Sequence, residues 1–113
     1  ALWEALTRFY LNHNITSSGR ATEAAERLLG LVPDSAEAHD LRAWAALQTG
    51  RYEVAENHLQ RAIELDPDLA SAYYHLGLVL SAEGRDVEAD GAFDRAIDLD
   101  TTGALVPLVE RAR

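Results

Sequence analysis

An all-α solenoid is the fold this sequence predicts, with about three stacked helix-turn-helix repeats followed by one further helix. Three observations carry that expectation. Pro33 and Pro67 lie 34 residues apart, each behind an apolar-acidic stretch and ahead of an Asp, and one more step of 34 reaches Thr101. Ala21, Ala55 and Ala89 keep the same step, as do Leu31, Leu65 and Leu99, while Ala62 matches Ala96 with Leu28 in the first copy. Gly50 and Gly84 also match, each followed by Arg. A fixed period of this length, with two helical patterns in each, marks units that bury their apolar faces by stacking on one another.

The apolar spacing places helices at roughly 2–14, 19–31, 35–48, 52–65, 69–82, 86–99 and 104–112. Each proline ends the helix before it, and the Asp after it is placed to cap the next. Asp34, with Glu37 three residues on, is expected to form a capping box at the start of the third helix. Gly50 and Gly84 mark the turns inside the helix pairs. The link at residues 13–18 (HNITSS) lacks such a glycine, which makes the first repeat the most divergent. Pro107 falls in the first turn of the last helix, where its missing N–H has no helical partner to lose. The 113 residues are thus expected to form a single domain, with repeats at about 2–35, 36–69 and 70–103 and a C-terminal helix at about 104–112.

The third copy is the most regular, with Tyr73-x2-Leu76-Gly77-x2-Leu80 and then Ala89-x3-Phe93. It resembles a tetratricopeptide repeat, with Thr101 in place of the closing proline. In the second copy Ala43, Gly50, Tyr52, Ala55, Leu59, Ala62 and Pro67 agree with that family, while Arg42 stands where Leu is usual and Ala46 where Tyr is. In the first, Ala21, Leu28, Leu31 and Pro33 agree, and Arg8-Phe9 replaces Leu-Gly. The likeness covers about residues 2–103 and implies a right-handed α-solenoid that binds other proteins. The physical basis of the pattern needs no family name. Gly77, Ala43 and the alanines at 55, 62, 89 and 96 let helices approach, and Tyr52, Leu59, Tyr73 and Phe93 fill the spaces between them.

Composition excludes several chemistries. The chain has no Cys, so disulfides, zinc thiolates and thiol catalysis are ruled out. All ten basic residues are Arg, which removes a P-loop and a Schiff-base lysine. The net charge of −9 repels phosphate backbones, so nucleic acid is not an expected partner. No apolar run approaches the roughly 20 residues of a membrane span, and no membrane partner is expected. Neither a nucleophile elbow nor a pair of acids in an apolar setting is present, so no enzyme activity and no cofactor are expected. The chain lacks an initiator Met and is expected to be a piece of a longer protein. With no targeting segment in it, the compartment is open, with a cytoplasmic default.

The resemblance implies that the first helix of each pair lines a concave inner face. Helical spacing then aligns three stripes, Leu6-Tyr10-His13, Asp40-Trp44-Leu47 and Tyr74-Leu78-Ser81, each member 34 residues from its counterpart. Tyr10 and Trp44 stand beside the packing stripes expected at Leu2-Ala5-Phe9 and Leu41-Ala45-Gln48. They are peptide anchors on one reading and partly buried packing residues on the other. Members of the family that hold acidic tails use a two-carboxylate clamp of Lys, Asn and Arg. The corresponding residues here are Leu6, Tyr10, Leu41, Ser71 and His75, so that clamp is absent. An apolar or amphipathic segment with some positive charge is the expected partner for Tyr10, Trp44, Tyr74 and Leu78, with Glu37 and Asp40 supplying the acids.

Other features are weighed and set aside. Arg8 and Arg42 share one repeat position and are expected to lay their stems over apolar surface and find a local acid, the alternative being a ligand carboxylate. His13, His39, His58 and His75 include no pair three or four apart, so no local metal motif is present. Asp98-x-Asp100-x-Thr102-Gly103 opens like a calcium loop but has Val109 where the bidentate Glu belongs. Asn14-Ile15-Thr16 matches a glycosylation sequon, best explained by chance. The rival to a binding groove is self-association, or a docking arm in a larger protein. It rests on the last helix, where Ala104, Leu105, Val106, Leu108 and Val109 promise little polar cover.

Overall fold

The computed structural model describes residues 2–12 and 20–113, and over them seven helices follow one another. They are α1 (Leu2–Asn12), α2 (Arg20–Leu31), α3 (Ala36–Gln48), α4 (Tyr52–Leu65), α5 (Ala70–Ala82), α6 (Asp86–Leu99) and α7 (Leu105–Ala112). The expected link at residues 13–18, the sequon at Asn14 and the groove candidate His13 lie outside the described residues, as does the side chain of Tyr10.

The turns inside the second and third pairs are closed by the same bonds. At the end of α3, Gly50 N–H donates to the Leu47 carbonyl (3.1 Å) and Arg51 N–H to that of Ala46 (2.9 Å). At the end of α5, Gly84 N–H donates to Ser81 (3.0 Å) and Arg85 N–H to Leu80 (2.9 Å). This crossed pair satisfies carbonyls that a helix end leaves open and requires a left-handed residue in the middle. Gly50 at φ 75° and Gly84 at φ 79° supply it. The Arg that follows opens the next helix. Arg85 bonds Glu88 in that helix (2.5 Å) and reaches back to Glu56 on α4 (3.4 Å).

The turns between repeats rest on short polar side chains. Asp66 accepts from Asp68 N–H (3.0 Å), and Asp100, one period on, accepts from Thr102 N–H (3.1 Å). The start of α3 departs from expectation. Ser35, not Asp34, is the N-cap, its hydroxyl accepting from Ala38 N–H at 3.2 Å. Both residue types suit the role, and the chain needs all of residues 32–34 to turn after α2, since Ser35 N–H bonds the Val32 carbonyl (3.1 Å). Asp100 explains the apparent calcium loop. One carboxylate oxygen takes the Leu105 N–H (2.9 Å) and the other the Thr102 N–H and hydroxyl (2.7 Å), so the acid caps the entry to α7. These bonds, led by Leu105 N–H, hold its carboxyl below the usual range.

Packing follows the repeat. Ala21, Ala55, Ala89, Leu28, Ala62 and Ala96 are all buried. Helices pack on their chain neighbours, and α1, α3, α5 and α7 also meet one another in sequence, whereas α2, α4 and α6 do not pack closely among themselves. A stack joined along one row and splayed along the other bends toward the joined row, which puts the odd helices on the inner side. Large and small residues alternate across each pair. Leu59 is buried in one cluster with Ala43, and Phe93 lies against Gly77, where a Cβ would come within 2.5 Å of two ring carbons. In the first copy the sizes are reversed, with Phe9 and Ala25 at those positions. The expected packing stripe Leu2-Ala5-Phe9 is not buried. Leu2 is 69% and Phe9 48% exposed, and among the described side chains of α1 Thr7 is the buried one.

Candidate binding groove

The inner row of helices encloses a groove of about 400 Å³. Arg8 of α1 lies at one side, Asp40 and Trp44 of α3 and Ser71, Tyr74, His75 and Leu78 of α5 form the floor, and Leu105 and Leu108 of α7 close the far side. The wall from α7 was not expected. Leu108 stands 34 residues after Tyr74, so the groove register continues one helix beyond the third repeat, and that period is the signal which would have found it.

The floor is built on a buried carboxylate. Asp40 accepts from the His75 Nδ1–H at 2.6 Å and, through its other oxygen, from the Ser71 hydroxyl at 2.7 Å. Asp40 and His75 are each 5% exposed. The expectation that Asp40 offers free negative charge to a partner is therefore corrected. Burying a carboxylate demands partners for its oxygens, and both are taken from the adjacent repeat. The bonds orient His75, whose ring lies against Trp44 (centroids 4.9 Å apart, 28° between planes). Tyr74 packs at a tilt against His75 and against Phe93 (5.4 and 6.2 Å). Burial raises the Tyr74 phenol above its ordinary value, against an opposing pull from Arg111.

The expected site residues separate into two groups. Trp44, Tyr74 and Leu78 are half-buried and line the groove beside the sequestered Asp40. Leu47 packs instead on the α4–α5 core, because the next turn of α3 has rotated it toward α4. Leu6 is half-buried on α1, and Glu37 is exposed in the first turn of α3. Neither lines this groove. Ser81 faces a second cavity of about 380 Å³ near the chain's end, where Arg113 pairs with Asp90 (3.3 Å) and Asp94 and covers the Phe93 ring.

The two arginines behave as local ion pairs. Arg8 meets Glu4 (3.3 Å) on its own helix while lining the groove, and Arg42 is buried and reaches Glu26 of α2 (3.4 Å). Among the described residues no group of three or more His, Cys, Asp or Glu is placed to hold a metal ion, and no helix is long and apolar enough to cross a membrane.

The surface of α7 also differs from the expectation of bare apolar residues. Val109 is fully buried against α5 and α6, Leu105 and Val106 are half-buried, and the outward positions include Glu110 and Arg111. Only Leu108, at 37% exposed, remains a large apolar side chain open to solvent there, and it belongs to the groove.

Known proteins give the same architecture. Residues 45–84 match the family described as TPR repeat, and residues 70–102 that described as Tetratricopeptide repeat. Small glutamine-rich tetratricopeptide repeat-containing protein 2 of Mycosarcoma maydis is 31% identical over 88 residues, covering 78% of this chain and 25% of that protein. The chain spans a quarter or less of the length of the curated relatives it matches. Among solved structures, MamA superposes with a TM-score of 0.75 at 29% identity, over 97% of this chain and 60% of that one. The yeast Sti1 TPR2B domain, in its pHsp70 complex, superposes with a TM-score of 0.81 at 20% identity, over 99% of this chain and 94% of that one, a likeness of fold.

Proposed function

We propose a function from one premise: this chain belongs to the tetratricopeptide repeat family. Membership supports a protein–protein interaction module, and we read the module as non-enzymatic. Its groove would hold a segment of a partner protein, extended or helical. The observation that carries this is the convergence of Trp44, Tyr74, Leu78, Leu105 and Leu108 on one concavity of about 400 Å³. Aromatic and aliphatic side chains half-open in a concave wall are the usual anchors of a docked segment. The preferred ligand is amphipathic and carries some positive charge. Its apolar face would meet these side chains, and its cations would meet a domain of net charge −9 with Glu37 exposed on α3.

The reading is tested by selecting displayed linear peptides on the immobilised domain and measuring the winners against Leu78→Asp and Leu108→Asp. Peptides rich in apolar residues and Lys or Arg, losing tenfold or more in affinity for both folded variants, are expected. Peptides that bind both variants as well as the parent would place the docking surface elsewhere. The buried position of Val109 leaves less apolar surface on α7 for self-association than its composition suggests, so the groove is the favoured reading.

A further inference from the structure

A second cluster of polar side chains, outside the groove, joins the two helices of the second repeat to the turn that precedes them. His39 of α3 and His58 of α4 face each other with 3.0 Å between their Nδ1 atoms. The other nitrogen of His39 lies 2.9 Å from the Pro33 carbonyl in the turn between the repeats. A carbonyl only accepts, so Nε2 of His39 carries a hydrogen and, in the neutral ring, Nδ1 is a lone pair. His58 must then donate its Nδ1–H. Two protons satisfy the pair, and the chain from α4 through α3 to the turn is complete.

The surroundings disfavour more protons. From α3, Arg42 faces the pair, 7% exposed, and its Nη1 is a buried nitrogen with no hydrogen-bond partner. From α2 comes Glu26, whose carboxylate meets Arg42 but is largely exposed. On the solvent side Arg61 of α4 pairs with Asp34 and Glu64 (3.7 and 3.3 Å). One added proton leaves an N–H···N bond intact but sets a charge beside the buried guanidinium. A second puts hydrogens on both Nδ1 atoms and breaks the bond.

We infer that the His39–His58 pair is an acid-sensitive latch that holds α3 to α4 within the second repeat and, through His39, to the turn that enters it, closed while both rings are neutral. Burial, then Arg42 and then His39 hold His58 below its ordinary value of 6.5, which agrees with this placement. A folded state that binds fewer protons than the open one loses stability as pH falls below the open-state value. The latch is therefore full above pH 6.5 and weakens below it. Because α3 also carries Trp44, opening it loosens the floor of the groove.

Hydrogen exchange of wild-type protein between pH 7.5 and 5, read as protection factors, tests the latch. Protection in α2, α3 and α4 is expected to fall below pH 6.5 by up to about tenfold per pH unit, the slope of one proton, while α5 and α6 change less. His58→Gln keeps a donor but cannot take the charge, and should flatten the response of α2–α4. A wild-type response uniform across all helices, or one retained in His58→Gln, overturns the proposal. Should that variant fail to fold, ring-nitrogen NMR of the wild type decides. Coupled titration of His39 and His58, with His58 below 6.5, supports the latch, and independent titration of both near 6.5 removes it.

Discussion

Gly77 and Phe93 are complementary to within one carbon atom: a Cβ at Gly77 would stand 2.5 Å from two carbons of the Phe93 ring, which is itself buried and in contact with Tyr74 and Arg113. The second repeat solves the same crossing with Ala43 and Leu59. Gly77→Ala is accordingly expected to overpack the α5–α6 crossing by about 1–3 kcal/mol. Gly77→Ala with Phe93→Leu should recover part of that loss by reproducing the pair in the second repeat. Thermal melts of the two single variants and the double variant form the cycle that measures it. A Gly77→Ala protein that melts with the wild type would show that the ring has room to move.

Asp40 belongs to the scaffold of the groove more than to its charge. Its oxygens are bonded by His75 and Ser71 across a repeat boundary, and removing it strands both. Asp40→Ala should cost on the order of 2–4 kcal/mol, in the range for breaking a buried charged contact. Glu37→Gln, on the exposed face of the same helix, should change stability by less than about 0.5 kcal/mol. Chemical denaturation of the two variants side by side checks this, and equal midpoints would refute it.

The two turn glycines have open space where a side chain would go, and their only constraint is the positive φ. Gly50→Ala and Gly84→Ala should each cost about 1–2 kcal/mol, the penalty of a left-handed L-residue, and Gly→Asn at either site should cost less. If Ala and Asn proved equal, the loss would have to come from something other than backbone conformation.

Asp100 connects the last helix to the stack through its bonds to Leu105 and Thr102, which depress its pKa. A group whose folded pKa lies below its free value of 3.8 adds stability above that value and loses it as pH falls through the folded one. Asp100→Asn should therefore melt lower than wild type at pH 7, with the gap narrowing below pH 3.8. Melting curves at pH 7, 4 and 3 read this directly, and a gap independent of pH would mean that the charge contributes nothing.

How far the sequence reveals this molecule depends on whether a residue's role recurs. Ala21, Ala55 and Ala89 are buried in all three copies, and Gly50 and Gly84 close the same turn in the second and third, so a period of 34 exposes them. Ser35 took the cap from Asp34 because both residues can play it, and only the length of the turn decides. Asp40 was legible as a groove position, but its burial was not. Its partners Ser71 and His75 sit one period on, give or take a turn, and a search for polar residues near i+34 would have suggested them. The His39–His58 pair is 19 residues apart and occurs in one copy alone, so no periodicity could point to it. Phe9 stands where the later copies have the small Ala43 and Gly77, and it is exposed there, as is Leu2, so the period does not carry their packing into the first copy.

The outer helices never touch the groove, yet they determine its width. α4 packs on both α3 and α5, so the separation of Trp44 from Tyr74 is set by what fills the wedge behind them, chiefly Ala55, Leu59 and Ala62. Changing the thickness of that wedge would re-gauge the groove for a slimmer or broader ligand without altering any residue a ligand meets. Selectivity in such a stack can therefore drift from its back face, and a survey confined to the groove would miss the substitutions responsible.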